Sequence, residues 1–165
     1  MADLTEGQTQ SAGMTANAMM GNVIRLVFGG DPVKFEEFCD VLREFLPADC
    51  AAVLRGSAVT GFRHDDHAPF DADGPGTSDL DLTLVGDSAV KYFTLTGFYV
   101  PGVHSIPLSD KHPDIAPQLV PLQARLVRMV HRPVNIQGTR DWVMFVREHM
   151  FDQPYLTLVG KLPEE

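Results

Sequence analysis

Apolar residues recur at helical spacing in four segments of the chain. These are residues 15–28, 31–46, 121–131 and 141–150. The second segment opens on Asp31 and Pro32, a pair typical of a helix N-cap followed by a first-turn proline. We therefore predict four helices, because a period near 3.6 residues places the apolar side chains on one helical face.

Shorter apolar runs, bounded by turn residues, predict three strands. They cover residues 51–55, 79–85 and 132–137. Prolines crowd residues 101–121, where we expect mostly irregular structure. Helices that alternate with short strands indicate an α/β fold.

Length and composition limit the number of domains. With 165 residues, 44% of them hydrophobic, the chain is long enough for one domain with a hydrophobic core. Residues 1–13 are small or polar and have little to bury, so we expect a disordered lead there. We assign residues 14–165 to a single domain.

Charge and cysteine content exclude several classes of partner. A net charge of −9 opposes general binding to a phosphate backbone, so a long nucleic acid is a poor candidate. No apolar run is long enough to span a membrane, and the first residues lack the secretory pattern. Cys39 and Cys50 are too few for a disulfide framework, and Cys39 fits the apolar face of the second helix as a buried thiol. We therefore expect a cytoplasmic protein with no membrane partner.

The stretch between the first two predicted strands carries the candidate chemistry. The first strand ends in Gly56-Ser57, where backbone N–H groups and a hydroxyl converge, as suits a polyphosphate. The second strand reads "DLDLTLV", and its side-chain period of two places Asp79 and Asp81 on one face. Two unpaired carboxylates so close together repel each other, so a cation should lie between them. Mg²⁺ suits such a pair because it takes a few protein oxygens and completes its shell with water and phosphate.

These motifs resemble those of the DNA polymerase beta-like nucleotidyltransferase superfamily, and the likeness is closest to its small bacterial single-domain members. The residues on which the resemblance rests are Gly56-Ser57 and the run Ser78-Asp79-Leu80-Asp81-Leu82. The resemblance extends loosely over residues 48–150 and implies a small mixed sheet flanked by helices. It also implies that Gly56 and Ser57 hold a nucleoside triphosphate, and that Asp79 and Asp81 bind Mg²⁺ or Mn²⁺. The implied reaction transfers a nucleoside monophosphate to a hydroxyl of a small molecule or a protein.

The chain departs from the superfamily pattern in two places. Residues 58–78 make a longer spacer than usual, and we interpret residues 62–77 as an insertion over the site. The third acid of active members, expected in the third strand, is replaced by Asn135. An amide oxygen can coordinate a metal but cannot act as a general base. Three other acids are candidates to replace the missing one: Asp110, Asp114 and Asp141.

Two classes of function therefore stay open. The first is a metal-dependent nucleotidyltransferase, favoured by the Gly-Ser and Asp-Leu-Asp elements. The second is a degenerate nucleotide-binding module, with an interaction or antitoxin-like role, favoured by Asn135. We interpret "HDDH" at residues 64–67 as a solvated loop rather than a metal site, because consecutive loop residues rarely converge on one ion. Three side chains within residues 97–105 either stack on a base or pack within their own loop: Phe98, Tyr99 and His104.

Overall fold

The computed structural model describes residues 14–94, 106–140, 142 and 153–162. Within these ranges the helices and strands, in chain order, are α1 (Ala16–Val27), α2 (Pro32–Phe45), β1 (Ala51–Arg55), α3 (Ser57–Thr60), β2 (Leu80–Val85), α4 (Asp87–Val90), α5 (Val120–Val130), β3 (Val134–Thr139) and β4 (Tyr155–Val159). Two 3-10 turns, Pro113–Ile115 and Pro117–Leu119, lead into α5. The described part of the chain is therefore a mixed α/β fold.

The long helices begin where their capping residues require. The Thr15 hydroxyl accepts a hydrogen bond from the backbone N–H of Ala18 at the start of α1. The Asp31 carboxylate accepts from Val33 N and Lys34 N at the start of α2, with Pro32 in its first turn. Such caps satisfy N–H groups that have no partner within the helix. The predictions for α1, α2 and α5 are confirmed to within one residue at each end.

The strands form a mixed sheet in the order β3-β2-β1-β4. β1 pairs antiparallel with both β2 and β4, whereas β2 and β3 run parallel. Because β2 and β3 are parallel and adjacent, residues near their N-terminal ends lie side by side at one edge of the sheet. This arrangement decides which side chains meet at the candidate site.

The two faces of the sheet differ in character. One face packs under α1, α2 and α5 and supplies the apolar core, including Leu54, Leu82 and Ile136, each at most 1% exposed. Burial of one such side chain contributes about 1.5–3 kcal/mol to stability. The opposite face carries a smaller apolar cluster of Ala51, Val53, Val85 and Trp142. The polar residues of β2 and β3 lie on this second face, because side chains alternate along each strand.

The third strand was placed two residues too early. It begins at Val134 rather than at residue 132, and it continues to Thr139. Pro133 has no N–H to donate to a sheet ladder, although its carbonyl accepts from Leu80 N over 2.9 Å. Arg132 therefore lies before the strand, and its side chain contacts Asp71 in the loop between α3 and β2.

Of the remaining predictions, some are wrong and one, the buried Cys39 thiol, is confirmed. The apolar pattern predicts no element after residue 150, whereas the structure has β4 there. Residues 113–115 and 117–119 form the two 3-10 turns rather than irregular structure. Residues 106–112 contain no helix or strand, and Leu108 forms an isolated bridge with Ile136. The Cys39 thiol is buried and free, as expected, and burial raises its pKa to about 12.

Some predictions fall on residues outside the described ranges. They are the disordered lead at residues 1–13, the proline-rich residues 101–105 and most of the helix predicted at residues 141–150. Of that last segment only Trp142 is described, and its ring packs edge-on against Tyr155 at 5.0 Å. No helix in the described part of the chain has the length and apolarity needed to cross a lipid bilayer.

Candidate functional site

Asp79, Asp81 and Asn135 meet at the edge shared by β2 and β3. The parallel register sets Asp81 directly beside Asn135, and Asp79 lies two residues earlier on the same face. The Asn135 side-chain amide donates to Asp79 Oδ2 over 2.6 Å and to Asp81 Oδ1 over 3.3 Å. We expected a cation between the two carboxylates. In the structure the neutral amide group of Asn135 occupies that position.

The two acids differ in their surroundings. Asp79 is exposed, whereas Asp81 is partly buried within β2. Burial raises the pKa of Asp81 above its ordinary value, and the neighbouring charge of Asp79 raises it further. The guanidinium of Arg55, whose residue pairs with Asp81 across β1 and β2, and the Asn135 amide act in the opposite direction. Burial and the Asp79 charge outweigh these two groups, so the pKa of Asp81 is raised overall.

Gly56 brings the Gly-Ser turn against Asp81. Its φ of +94° lies in the left-handed region that favours glycine, and a Cβ at this position would lie 3.3 Å from Asp81 Oδ2. Ser57 follows at the start of the short helix α3. Among the contacts of the described residues, the Ser57 hydroxyl makes no hydrogen bond. The predicted phosphate turn and the predicted metal ligands therefore belong to one location.

The segment between Gly61 and Ser78 is tied to the site by Arg132. The Arg132 guanidinium contacts both oxygens of Asp71, at 2.8 and 3.1 Å, and also donates to the Ser78 carbonyl at 2.9 Å. Asp71 in turn accepts from Ser78 N, and Asp71 N donates to Ser78 Oγ. Since Ser78 immediately precedes Asp79, these contacts fix the position of the backbone just before the acid pair.

The ion pair between Arg132 and Asp71 is largely shielded from solvent. The Arg132 side chain is 7% exposed and its guanidinium lies 4.5 Å from the centre of the Phe70 ring. The hydrogen bond from Arg132 lowers the pKa of Asp71 to about 2, with smaller contributions from the N–H groups of Ser78 and Gly76. The supposed insertion therefore has a fixed structure at its C-terminal half. His64 and His67 lie in its exposed turn, as predicted for a solvated loop.

None of the described alternatives supplies the missing third acid. Asp110 accepts a hydrogen bond from Gln123 of α5, and Gln123 also bonds to the Val134 carbonyl. Asp114 lies exposed in the first 3-10 turn, and Asp141 is outside the described residues. Within the described ranges no three His, Cys, Asp or Glu side chains gather as a metal cluster. The site consists of two carboxylates and one amide.

This donor set still fits a hard divalent cation. Mg²⁺ and Mn²⁺ prefer carboxylate, amide and water oxygens, and Mg²⁺ is often bound through only one or two carboxylates together with substrate phosphates. Asp79 and Asp81 face the same side with only a neutral amide between them. The orientation of that amide follows from its hydrogen bonds, and a half-turn would present its oxygen instead.

Two residues that organise the site were not recognised in the sequence. Asp71 was assigned to a loop insertion, and Arg132 was placed inside the third strand. They are far apart along the chain, and no local pattern links them, so only the fold reveals their contact. Phe98, Tyr99 and His104, which were considered for base stacking, lie outside the described residues.

Comparison of the chain with protein-family models, with curated proteins and with solved structures gave no match.

Proposed function

We propose that the protein is a divalent-metal-dependent nucleotidyltransferase that moves a nucleoside monophosphate from a nucleoside triphosphate to a hydroxyl acceptor. One observation carries the proposal. Gly56, at the end of β1, lies against Asp81, while Asp79 and Asn135 complete the same edge of the sheet. This is the arrangement that the resemblance to the DNA polymerase beta-like superfamily led us to expect.

The chain's own residues have distinct roles in this proposal. Asp79 and Asp81 would hold Mg²⁺ or Mn²⁺, with the Asn135 amide oxygen as a weaker third ligand. A cation held there would supply positive charge to neutralise the triphosphate. The Gly56-Ser57 turn receives the distal phosphates through backbone N–H groups and the unengaged Ser57 hydroxyl.

The transfer itself exchanges one P–O bond for another. The acceptor oxygen bonds to the α-phosphorus, the bond from that phosphorus to the bridging oxygen breaks, and pyrophosphate leaves. Asn135 cannot take the acceptor's proton, so that proton passes to water. A positioned general base typically contributes about 10²–10⁴-fold to rate, and we therefore expect slow transfer.

Asn135 also favours a second candidate function. If the missing base stops turnover altogether, the site binds a metal–nucleotide complex and serves as a nucleotide-responsive interaction module. The two candidates share the binding site and differ only in chemistry.

Incubation with Mg²⁺ and each α-labelled nucleoside triphosphate distinguishes them. The enzyme is expected to release pyrophosphate and to transfer label to an added hydroxyl acceptor or to protein. Tight Mg²⁺-dependent binding without either product would support the module instead. The double variant Asp79→Asn/Asp81→Asn is the control, and it should neither bind nor react. Failure of the native protein to bind any nucleoside triphosphate would contradict both candidates.

A further inference from the structure

A cleft opens beside the Gly-Ser turn, on the side facing the loop that follows α3. Its volume is about 230 Å³, and Gly56 forms part of its wall together with Phe62 and Pro154. The cleft is therefore adjacent to the predicted phosphate turn, with which it shares Gly56. Sites that enclose a whole drug-sized ligand usually measure about 300–1,000 Å³, so this cleft suits only one part of a nucleotide.

Phe62 presents its ring to solvent at the edge of this cleft. The residue is 56% exposed, although large aromatic side chains are usually well buried. Its backbone is nevertheless held: the Thr60 hydroxyl donates to the Phe62 carbonyl over 2.8 Å, and Phe62 pairs with Pro69 in an antiparallel bridge. The backbone that carries the exposed ring is therefore held in place at the edge of the cleft.

The charges of the cleft favour a neutral group over a phosphate. Arg63 lines the cleft, but its guanidinium already contacts Asp73 at 3.2 Å and Asp66 at 3.7 Å. His64 and His67 also line it, and a neutral imidazole offers one donor and one acceptor nitrogen. An aromatic face with nearby hydrogen-bonding groups suits a nucleobase, because every base has a π-face and polar edges.

We propose that this cleft is the nucleobase subsite, in which the base of the triphosphate stacks on Phe62 while its phosphates lie on the Gly56-Ser57 turn. The inference rests on the proposed function, because it requires that turn to bind phosphates. It adds a residue and a ligand group that neither the sequence motifs nor the acid pair assign.

Calorimetry with two Mg²⁺-bound probes tests the subsite. The probes are inorganic tripolyphosphate and whichever of ATP, GTP, CTP and UTP the native protein binds most tightly. Phe62→Ala should weaken binding of the nucleotide by roughly 5- to 150-fold, the range expected for loss of one base–aromatic stack, and leave tripolyphosphate unchanged. Val33→Ala removes a side chain that is 62% exposed at the start of α2 and should alter neither affinity.

A second variant provides a direct signal. Phe62→Trp should retain nucleotide binding, and its fluorescence should be quenched by the nucleotide but not by tripolyphosphate. Unchanged nucleotide affinity in Phe62→Ala, or equal losses for both probes, would overturn the subsite while leaving the proposed function intact. If the native protein binds neither probe, the proposed function fails and the subsite fails with it.

Discussion

The Asn135 amide donates to Asp79 Oδ2 over 2.6 Å, and this contact joins the edge of β3 to the residue that precedes β2. The same nitrogen lies 3.3 Å from Asp81 Oδ1, so one neutral group bridges both carboxylates. A neutral amide reduces their repulsion without removing it. Asn135 therefore contributes to holding the two carboxylates close together.

Asn135→Asp should make the metal-free protein less stable and more responsive to Mg²⁺. A third carboxylate replaces a hydrogen-bond donor with a like charge, while a cation that binds only the folded state restores stability by mass action. Thermal unfolding with and without Mg²⁺ measures both effects. In a transfer assay the rate should rise by up to about 10²–10⁴-fold, the usual contribution of a general base.

Gln118→Glu is the matched control for this added charge. Gln118 is exposed in the second 3-10 turn, outside the acid pair. Its substitution should leave the Mg²⁺ response unchanged. Equal behaviour of the two variants would mean that position 135 does not contribute to a metal site.

Asp79→Asn combined with Asp81→Asn should abolish Mg²⁺ binding without unfolding the protein. The substitutions remove two repelling charges, so the melting temperature in metal-free buffer should stay the same or rise. Calorimetric titration with Mg²⁺ and a melting curve in chelator provide the two measurements. A marked fall in metal-free stability would show that the acids serve the fold instead of a ligand.

Gly56→Ala should cost stability and also weaken metal binding. The backbone at φ +94° is strained for alanine, by about 1–3 kcal/mol, and the new Cβ would press on Asp81 Oδ2 from 3.3 Å. Gly61→Ala separates the two effects, because Gly61 has a similar φ of +90° with nothing within 4 Å of its Cβ position. Both variants should lose stability in chemical denaturation, but only Gly56→Ala should lose Mg²⁺ affinity. An equal effect on that affinity would contradict the close approach of the turn to Asp81.

Ser57→Ala should weaken binding of a nucleoside triphosphate more than binding of the monophosphate. The hydroxyl is assigned to the distal phosphates, and its removal deletes one hydrogen bond to a charged acceptor, about 1.5–3 kcal/mol. Calorimetry with the two nucleotides of the same base provides the comparison. Equal weakening would argue that the turn contacts another part of the ligand.

Arg132→Met should destabilise the protein by about 3 kcal/mol, because it leaves the Asp71 carboxylate partly buried without its partner. Arg132→Lys should recover little, since an ammonium cannot reproduce the planar fork that reaches both Asp71 oxygens. Arg128→Met, at an exposed position in the last turn of α5, should have little effect. Equilibrium denaturation ranks the three variants. Under conditions where Arg132→Lys stays folded, its Mg²⁺ affinity should also fall, because Arg132 holds the Ser78 carbonyl just before Asp79.

Acid should weaken the Asp71–Arg132 contact over a defined range of pH. The folded-state pKa of Asp71 is about 2, below its ordinary value of 3.8. The stability that this difference supplies is fully present above pH 3.8 and is lost as the pH falls towards 2. Asp71→Asn should therefore show a shallower loss of stability across that range than the native protein. Parallel curves for the two proteins would mean that this carboxylate is not strongly paired.

The sequence by itself determined the parts of the structure that depend on neighbours along the chain. Helical spacing located α1, and helical spacing together with the Asp31 cap located α2, because those signals lie within one or two turns. The alternation in "DLDLTLV" placed Asp79 and Asp81 on one face, because the side-chain period of a strand is two. The short apolar run before Gly56 likewise matched β1.

Only the tertiary structure decided what lies beside these elements. The parallel register of β2 and β3 brings Asn135 to Asp81, and no local pattern specifies which residue of a distant strand will be its partner. The same holds for Arg132 and Asp71, whose contact depends on a proline that delays the start of β3 and on a loop that folds back to meet Arg132. The resemblance had already pointed to Asn135 as the residue at the third-acid position. The contact between Asp71 and Arg132 could not be found in the sequence, because the pairing of distant segments and the burial of a charge depend on the whole fold.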